Sequence, residues 1–211
     1  ALAFLYDATD EGGAGMRNFM SYERRWLDEP HVGDHVGRSV WALGAVLSTA
    51  WVPAVVGPGG RMLAALLSSL RGDLYLRTAA YATLGLASLD ADRLGDEGKL
   101  LLERCVEQLA AAHAATSSED WCWFEDELTY DNARLPHALI VGGEALGRDD
   151  HVATGLAALR WHGYRSQNRF IVFQVLPHTL GLGPEVWRVL AKCHQVRNQS
   201  EYEGDAAVDA R

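Results

Sequence analysis

The sequence has little signal for β-structure. β-Branched residues are few, no stretch sustains an alternation of apolar and polar residues, and apolar residues instead recur three and four positions apart. No apolar run reaches the roughly 18 residues that a membrane-spanning helix requires. The chain of 211 residues is long enough for one large or two small domains with a real core. We therefore predict an all-α protein without a membrane span.

Cysteine and positive charge are also scarce. The three cysteines are far apart and show no C-x-x-C spacing: Cys105, Cys122 and Cys193. This pattern predicts free thiols in a reducing compartment, and we expect a cytoplasmic protein. The formal net charge of -9 argues against a general nucleic-acid or membrane-surface binder, because such proteins are basic overall.

Signals for metal and cofactor sites are weak as well. His31 and His35 lie four positions apart, but Pro30 and Gly33 interrupt a regular helix there. No glycine-rich phosphate loop follows a strand. We therefore expect neither a metal ion nor a cofactor.

Helical periodicity accounts for most of the first 150 residues. Helices are predicted over six ranges: 18–27, 34–51, 61–71, 73–89, 96–115 and 133–146. Residues 52–60 are rich in Pro and Gly and predict a break, whereas Asp34 and Asp131 stand where helix N-caps are expected. Three of the helices mix Leu with Gly and Ala at intervals of roughly 40–55 residues, which predicts stacked helical hairpins.

The acidic–aromatic segment, residues 117–139 (SSEDWCWFEDELTYDNARLPHAL), is the most unusual stretch. Carboxylates and amides bond sugar hydroxyls, and an indole face stacks on the apolar side of a pyranose. The same residues also suit a helix-hairpin corner, with Trp121 and Trp123 in the core and the acids in solvent. The residue types alone leave both interpretations open.

Paired carboxylates are the minimum for glycosidase-type acid–base chemistry. Glu125 and Asp126 are adjacent and would point about 100° apart on a helix, so they rarely serve as a facing pair. A more plausible pair takes one carboxylate from residues 119–126, with Glu125 and Asp126 as the candidates, and the other from Asp34 across the mouth of a helical toroid. The candidate ligand-binding residues carry a ring, a guanidinium group or an amide: Tyr22, Arg38, Trp41, Trp121, Trp123, Tyr130 and Asn132. The structural alternatives are solvated or capping acids and an Arg38–Asp34 ion pair beside a core Trp41.

Three blocks, residues 17–26, 33–44 and 119–136, resemble an α/α-toroid module of bacterial glycosyltransferases and glycosidase-related proteins. The resemblance implies an α/α toroid, a saccharide ligand and a glycosyltransferase partner, without naming a reaction. A closed toroid needs more helices than this chain supplies, so we expect residues 1–157 to form an incomplete one. Its uncovered apolar faces would favour a homo-oligomer.

Residues from about 159 to 204 resemble the C-terminal half of HEPN-type helical proteins, most specifically at 164–166 and 197–204, and we expect residues 158–211 to form a HEPN-like helical segment. This second resemblance implies an RNA- or protein-binding module of toxin–antitoxin type, with a frayed C-terminal tail. The candidate RNA contacts are Arg165, Arg197, Asn198 and Tyr202.

Nuclease activity is not expected of this part. Tyr202 stands where the ribonucleolytic HEPN pattern has a histidine, and an ordinary Tyr titrates too high to replace it. The two resemblances meet at residues 155–161, so we expect a junction of two incomplete parts, made by natural fusion, recombination or design. The carbohydrate-associated function is the first interpretation, with enzymatic activity left open, and the HEPN-like binding module is the alternative.

Overall fold

The computed structural model of this chain describes residues 2–10 and 12–162, together with Val189 and Lys192. Helices provide the regular structure of this part. Within these residues there are seven helices and no strand, which confirms the all-α prediction. The helices are α1 (Leu2–Ala8), α2 (Asp34–Thr49), α3 (Pro53–Ser69), α4 (Leu76–Leu86), α5 (Ala91–Thr116), α6 (Arg134–Leu146) and α7 (Asp149–Trp161). None of the helices in this part of the chain is long and apolar enough to cross a membrane.

Helix α4 lies at the centre of the described helices. Every residue from Arg77 to Leu86 is buried, and the helix packs against α2, α5 and α6. A Cβ atom on Gly85 would lie 2.7 Å from Cα of Trp41, and one on Gly44 would collide with the Gly85 carbonyl. The two glycines therefore let the backbones of α2 and α4 approach more closely than any larger residue would allow.

Helices α2, α5 and α6 begin and end close to the predicted positions. Gly95 has a left-handed φ of 61°, so the regular part of α5 starts after it, as the sequence pattern indicates. Asp34 lies in the first turn of α2 and follows the capping residue Gly33, and Asp131 makes no side-chain cap on α6. Helix α7 was not among the predicted elements and spans the predicted domain boundary at residue 157.

The predicted break over residues 52–60 is wrong, because α3 already begins at Pro53. Proline suits the first turn of a helix, where the missing N–H has no intrahelical partner. Pro58 lies further inside and forgoes one backbone hydrogen bond, yet the helix continues to Ser69. Met62, Leu63 and Leu66 on the same helix are buried, and packing of an apolar face is the main source of helix stability in proteins.

The predicted helix over residues 18–27 is also wrong, because residues 17–33 form a loop. The Asp28 carboxylate accepts hydrogen bonds from the backbone amides of Asn18 (2.7 Å) and Phe19 (3.0 Å). These bonds offer the backbone an alternative to a helix. Arg24 adopts a left-handed φ of 62°, which a helix excludes, and the ring of Tyr22 is fully exposed.

Two finer predictions stay predictions. One is the arrangement of residues 1–157 as an incomplete toroid of stacked hairpins. The other is the HEPN-like segment in residues 158–211, most of which lies outside the described residues.

Candidate ligand-binding cleft

A cleft of about 1150 Å³ opens between α2, the start of α4, the 17–33 loop and the acidic–aromatic segment. Its charged and titratable lining is mixed in sign: Asp34, Glu125, Arg38, Arg77, His31 and His35. Three aromatic side chains also line it: Phe19, Tyr75 and Tyr130. The cleft thus joins three segments that are far apart in sequence, within residues 18–38, 74–77 and 125–130.

Arg77 fastens the acidic–aromatic segment to α4. Its buried guanidinium group donates to both carboxylate oxygens of Glu125, at 2.7 and 2.9 Å. It also donates to the Tyr130 carbonyl at 2.6 Å and to the side-chain oxygens of Thr129 and Asn132. A buried charge with this many partners is compensated, and the bidentate geometry fixes the orientation of the segment.

The sequence pointed only indirectly to Arg77. It is the only charged residue between Asp73 and Asp90, in a stretch that is otherwise apolar or small. A buried cation in such a helix requires an anion beside it. The isolated Arg77 therefore predicts an acidic partner elsewhere in the chain. The identity of that partner, 48 residues later, follows from the tertiary structure alone.

A second polar chain runs from the cleft through Tyr81. The Tyr81 hydroxyl donates to Asp131 Oδ2 at 2.5 Å and accepts from Arg38 Nη2 at 3.2 Å. Burial and the bond to Asp131 raise the pKa of Tyr81, and the bond to Tyr81 raises the pKa of Arg38. Trp41 stacks on Tyr81 at 6.0 Å, and Arg134 lies 4.7 Å over the Trp41 ring. Arg38 is therefore held by Tyr81 instead of by an ion pair with Asp34.

The candidate carboxylates occupy different environments. Asp34 lines the cleft and accepts a hydrogen bond at Oδ1 from Thr78 Oγ1, at 3.0 Å. Glu125 lines the same cleft and is bonded to Arg77. Asp126 is exposed and does not line the cleft. The structure therefore brings together Asp34 and Glu125 and leaves Asp126 outside.

The candidate aromatic residues also separate into two groups. Tyr130 lines the cleft, with Arg77 stacked 4.7 Å from its ring. Tyr22 lies at the tip of the 17–33 loop and does not line the cleft. Trp41 and Asn132 do not line the cleft either. Trp41 stacks on Tyr81, and Asn132 forms hydrogen bonds with Arg77 and the backbone of Thr129.

Neither tryptophan of the acidic–aromatic segment lines the cleft. Trp123 is fully buried, with ring contacts to Phe124 and His162, so no face of its indole is open to a ligand. Within the described residues, its Nε1 has no hydrogen-bond partner. Trp121 is half-buried and donates from Nε1 to the Glu125 carbonyl at 2.7 Å. In this structure Trp123 is a core anchor and Trp121 braces the backbone beside the cleft.

The candidate RNA contacts Arg165, Arg197, Asn198 and Tyr202 lie outside the described residues. Over residues 2–10 and 12–162, no three His, Cys, Asp or Glu side chains are grouped so that they could hold a metal ion. No protein-family model, curated protein or solved structure matches the chain.

Proposed function

We propose that this is a carbohydrate-associated protein that binds a saccharide in the cleft. The observation that carries the proposal is the convergence of Asp34 and Arg38 from α2 with Glu125 and Tyr130 from the acidic–aromatic segment. These four were candidate site residues on chemical grounds, and they line one cavity although the two pairs are far apart in sequence. A concave site with a few convergent polar groups is the usual form of a small-ligand site.

The polar groups of the cleft retain capacity for a ligand. Among the described residues, Asp34 accepts a hydrogen bond only at Oδ1, which leaves Oδ2 for a ligand hydroxyl. Arg38 donates one hydrogen bond, to Tyr81, and its remaining N–H groups can donate to ligand oxygens. A sugar hydroxyl both donates and accepts, so a cleft with both kinds of group suits it.

The charge balance of the cleft favours a neutral ligand. The two carboxylates are matched by two guanidinium groups, and one of those pairs, Arg77 with Glu125, is already formed. A site for a polyanion such as nucleic acid would carry an excess of positive charge. A polyhydroxylated, uncharged saccharide is the ligand class that this lining fits best.

Exposed rings supply the apolar part of such a site. Phe19, Tyr75 and Tyr130 line the cleft and are 59%, 75% and 53% exposed, so each ring keeps apolar surface open to solvent. Arg77 covers one face of the Tyr130 ring and leaves the other for a ligand. That face can stack on the apolar side of a pyranose.

The arrangement of the carboxylates favours binding over catalysis. Acid–base cleavage of a glycosidic bond needs two carboxyl groups that both reach the bond. Both oxygens of Glu125 are bonded to Arg77, so this group would first have to leave its ion pair. Glycosyl transfer or hydrolysis therefore ranks behind simple saccharide binding.

The test is a calorimetric titration of the full chain with neutral mono- and oligosaccharides. We expect saturable binding that Tyr130→Ala weakens by about 1–3 kcal/mol, the effect of removing a well-placed aromatic contact. Tyr22→Ala is the matched control, because Tyr22 is fully exposed and lies off the cleft. Equal losses in the two variants, or no saturable binding by any saccharide, would overturn the proposal.

A further inference from the structure

The end of α5 and the start of the acidic–aromatic segment bring a thiol, an imidazole and a hydroxyl together. Nε2 of His113 lies 3.6 Å from Sγ of Cys122 and 3.0 Å from Oγ of Ser117. None of the three side chains lines the ligand-binding cleft. Cys122 is half-buried and packs against the hydrophobic core, so part of the residue stays accessible to solvent.

Helix α5, the chain that follows it and the hydrophobic core fix the positions of these three side chains. His113 lies in the last turn of α5, and its ring meets the edge of the buried Phe124 at 5.0 Å. The chain leaves the helix at Ser117 in an extended conformation and returns Cys122 to the His113 ring. The carbonyl of Cys122 also accepts a hydrogen bond from Nε2 of His162 at 3.1 Å.

His113 is suited to accept a proton near neutral pH. Burial lowers its pKa, and no charged group is among the causes of that shift. Among the described residues, Ser117 and Cys122 lie within hydrogen-bonding distance of its Nε2, and Phe124 makes a ring contact. With its pKa lowered, the ring is neutral near pH 7 and can accept a proton. Because Nε2 has one lone pair, Ser117 and Cys122 compete for it.

Cys105 provides a contrast within the same helix. It is fully buried, and burial raises its pKa to about 12. No imidazole contacts it among the described residues. Because the thiolate is the reactive form, a buried thiol that stays protonated is inert toward reagents in water.

We propose that Cys122 and His113 form a reactive thiol–imidazole pair, and that Cys122 is a site of reversible modification by small disulfides. His113 Nε2 takes the thiol proton while the sulfur attacks one sulfur of the reagent. The reagent's S–S bond breaks as the new S–S bond forms, and the leaving thiolate takes the proton from His113. One disulfide gives one mixed disulfide and one thiol, so no further oxidant is required.

The test uses the full chain with Cys193→Ser, which leaves Cys105 and Cys122. The probe is dithiodipyridine, followed by release of thiopyridone, with peptide mass spectrometry to locate the product. We expect Cys122 to react in the folded protein and Cys105 only after denaturation. The rate for Cys122 should rise with pH as His113 loses its proton, because only the neutral imidazole can take up the proton of the thiol.

Two variants test whether His113 acts as a base or only supports the local structure. His113→Gln should remove this rise and slow the reaction near pH 7 by about a hundredfold, the lower range for a positioned base. Ser117→Ala, which removes the competing hydroxyl, should keep the rise with an equal or higher rate. An unchanged profile in His113→Gln overturns the proposal. If that variant fails to fold, a parent rate near pH 7 that is no higher than the rate of N-acetylcysteine with the same probe overturns it equally.

Discussion

The guanidinium group of Arg77 and the carboxylate of Glu125 form a two-pronged ion pair, with Nη1–Oε1 and Nη2–Oε2 distances of 2.7 and 2.9 Å. Arg77 belongs to the central helix α4, and Glu125 to a wall of the candidate cleft. One buried side chain thereby couples the position of the cleft wall to the packing of the core.

Replacing Arg77 by alanine should lower the free energy of unfolding by about 3–5 kcal/mol, because Glu125 would be left without its partner in a partly buried place. Arg71→Ala is the control, since its ion pair with Glu97 is exposed and should contribute about 0–1 kcal/mol. Urea denaturation of both variants gives the two values. Similar losses would mean that the Arg77–Glu125 pair behaves as a surface pair.

Gly85→Ala should destabilise the protein by about 1–3 kcal/mol, because its Cβ would overlap the backbone of α2. Gly60→Ala should instead be neutral or stabilise by up to about 1 kcal/mol. A Cβ there meets no described atom within 4 Å, and alanine favours a helix interior over glycine. Thermal unfolding of the two variants measures the contrast. If Gly85→Ala is tolerated as well as Gly60→Ala, the helices do not approach as closely as described.

Trp123→Ala should cost about 3–5 kcal/mol, the usual loss for a large aromatic residue in a core. Trp51→Ala should change stability by less than about 0.5 kcal/mol, because Trp51 is 84% exposed. Chemical denaturation compares the two variants. A small effect at Trp123 would indicate that its indole is more accessible than its burial implies.

Acid should loosen the 17–33 loop. Although burial opposes the shift, hydrogen bonds from the Asn18 and Phe19 amides and the nearby His31 and His35 hold the pKa of Asp28 below its usual value. A depressed carboxyl pKa stabilises the fold above the unfolded pKa of about 3.9, and this contribution disappears as pH falls through the folded value. We expect the amide resonances of Asn18 and Phe19 to titrate below about pH 4.

Asp28→Asn provides the control for this titration. The variant keeps the shape of the side chain but has no carboxylate at position 28. The Asn18 and Phe19 amide resonances should therefore not shift as the pH is lowered below about 4. If the wild-type amides do not respond to acid, or respond equally in the variant, Asp28 does not hold the loop.

Parts of the fold were predictable because local and tertiary preferences agree. The leucine and valine stripe of α2 faces the core, and the regular part of α5 starts after Gly95, where the pattern indicated. The 17–33 loop was not predictable, because Phe19, Tyr22 and Trp26 are spaced as on a helix face. The loop depends on hydrogen bonds that the Asp28 side chain makes to backbone nine and ten residues earlier.

The site was predictable as a set of residue types and not as a geometry. Asp34, Arg38, Glu125 and Tyr130 were singled out by chemistry, and they line one cleft. Trp123 could not be assigned in the same way, since a core and a sugar site both use indoles. Only burial separates the two roles, and burial depends on how distant elements pack.

Helix α4 has no solvent-facing side between Arg77 and Leu86, because α2, α5 and α6 pack around it. Its amide protons can therefore exchange with solvent only when those neighbours separate, so their exchange reports the opening of the whole unit. The 17–33 loop lies at the surface, with Tyr22 fully exposed, and would exchange through local fluctuations. A ligand bound in the cleft would slow amide exchange in both places. In α4, the increase in the free energy of opening would equal the gain in global stability that binding provides.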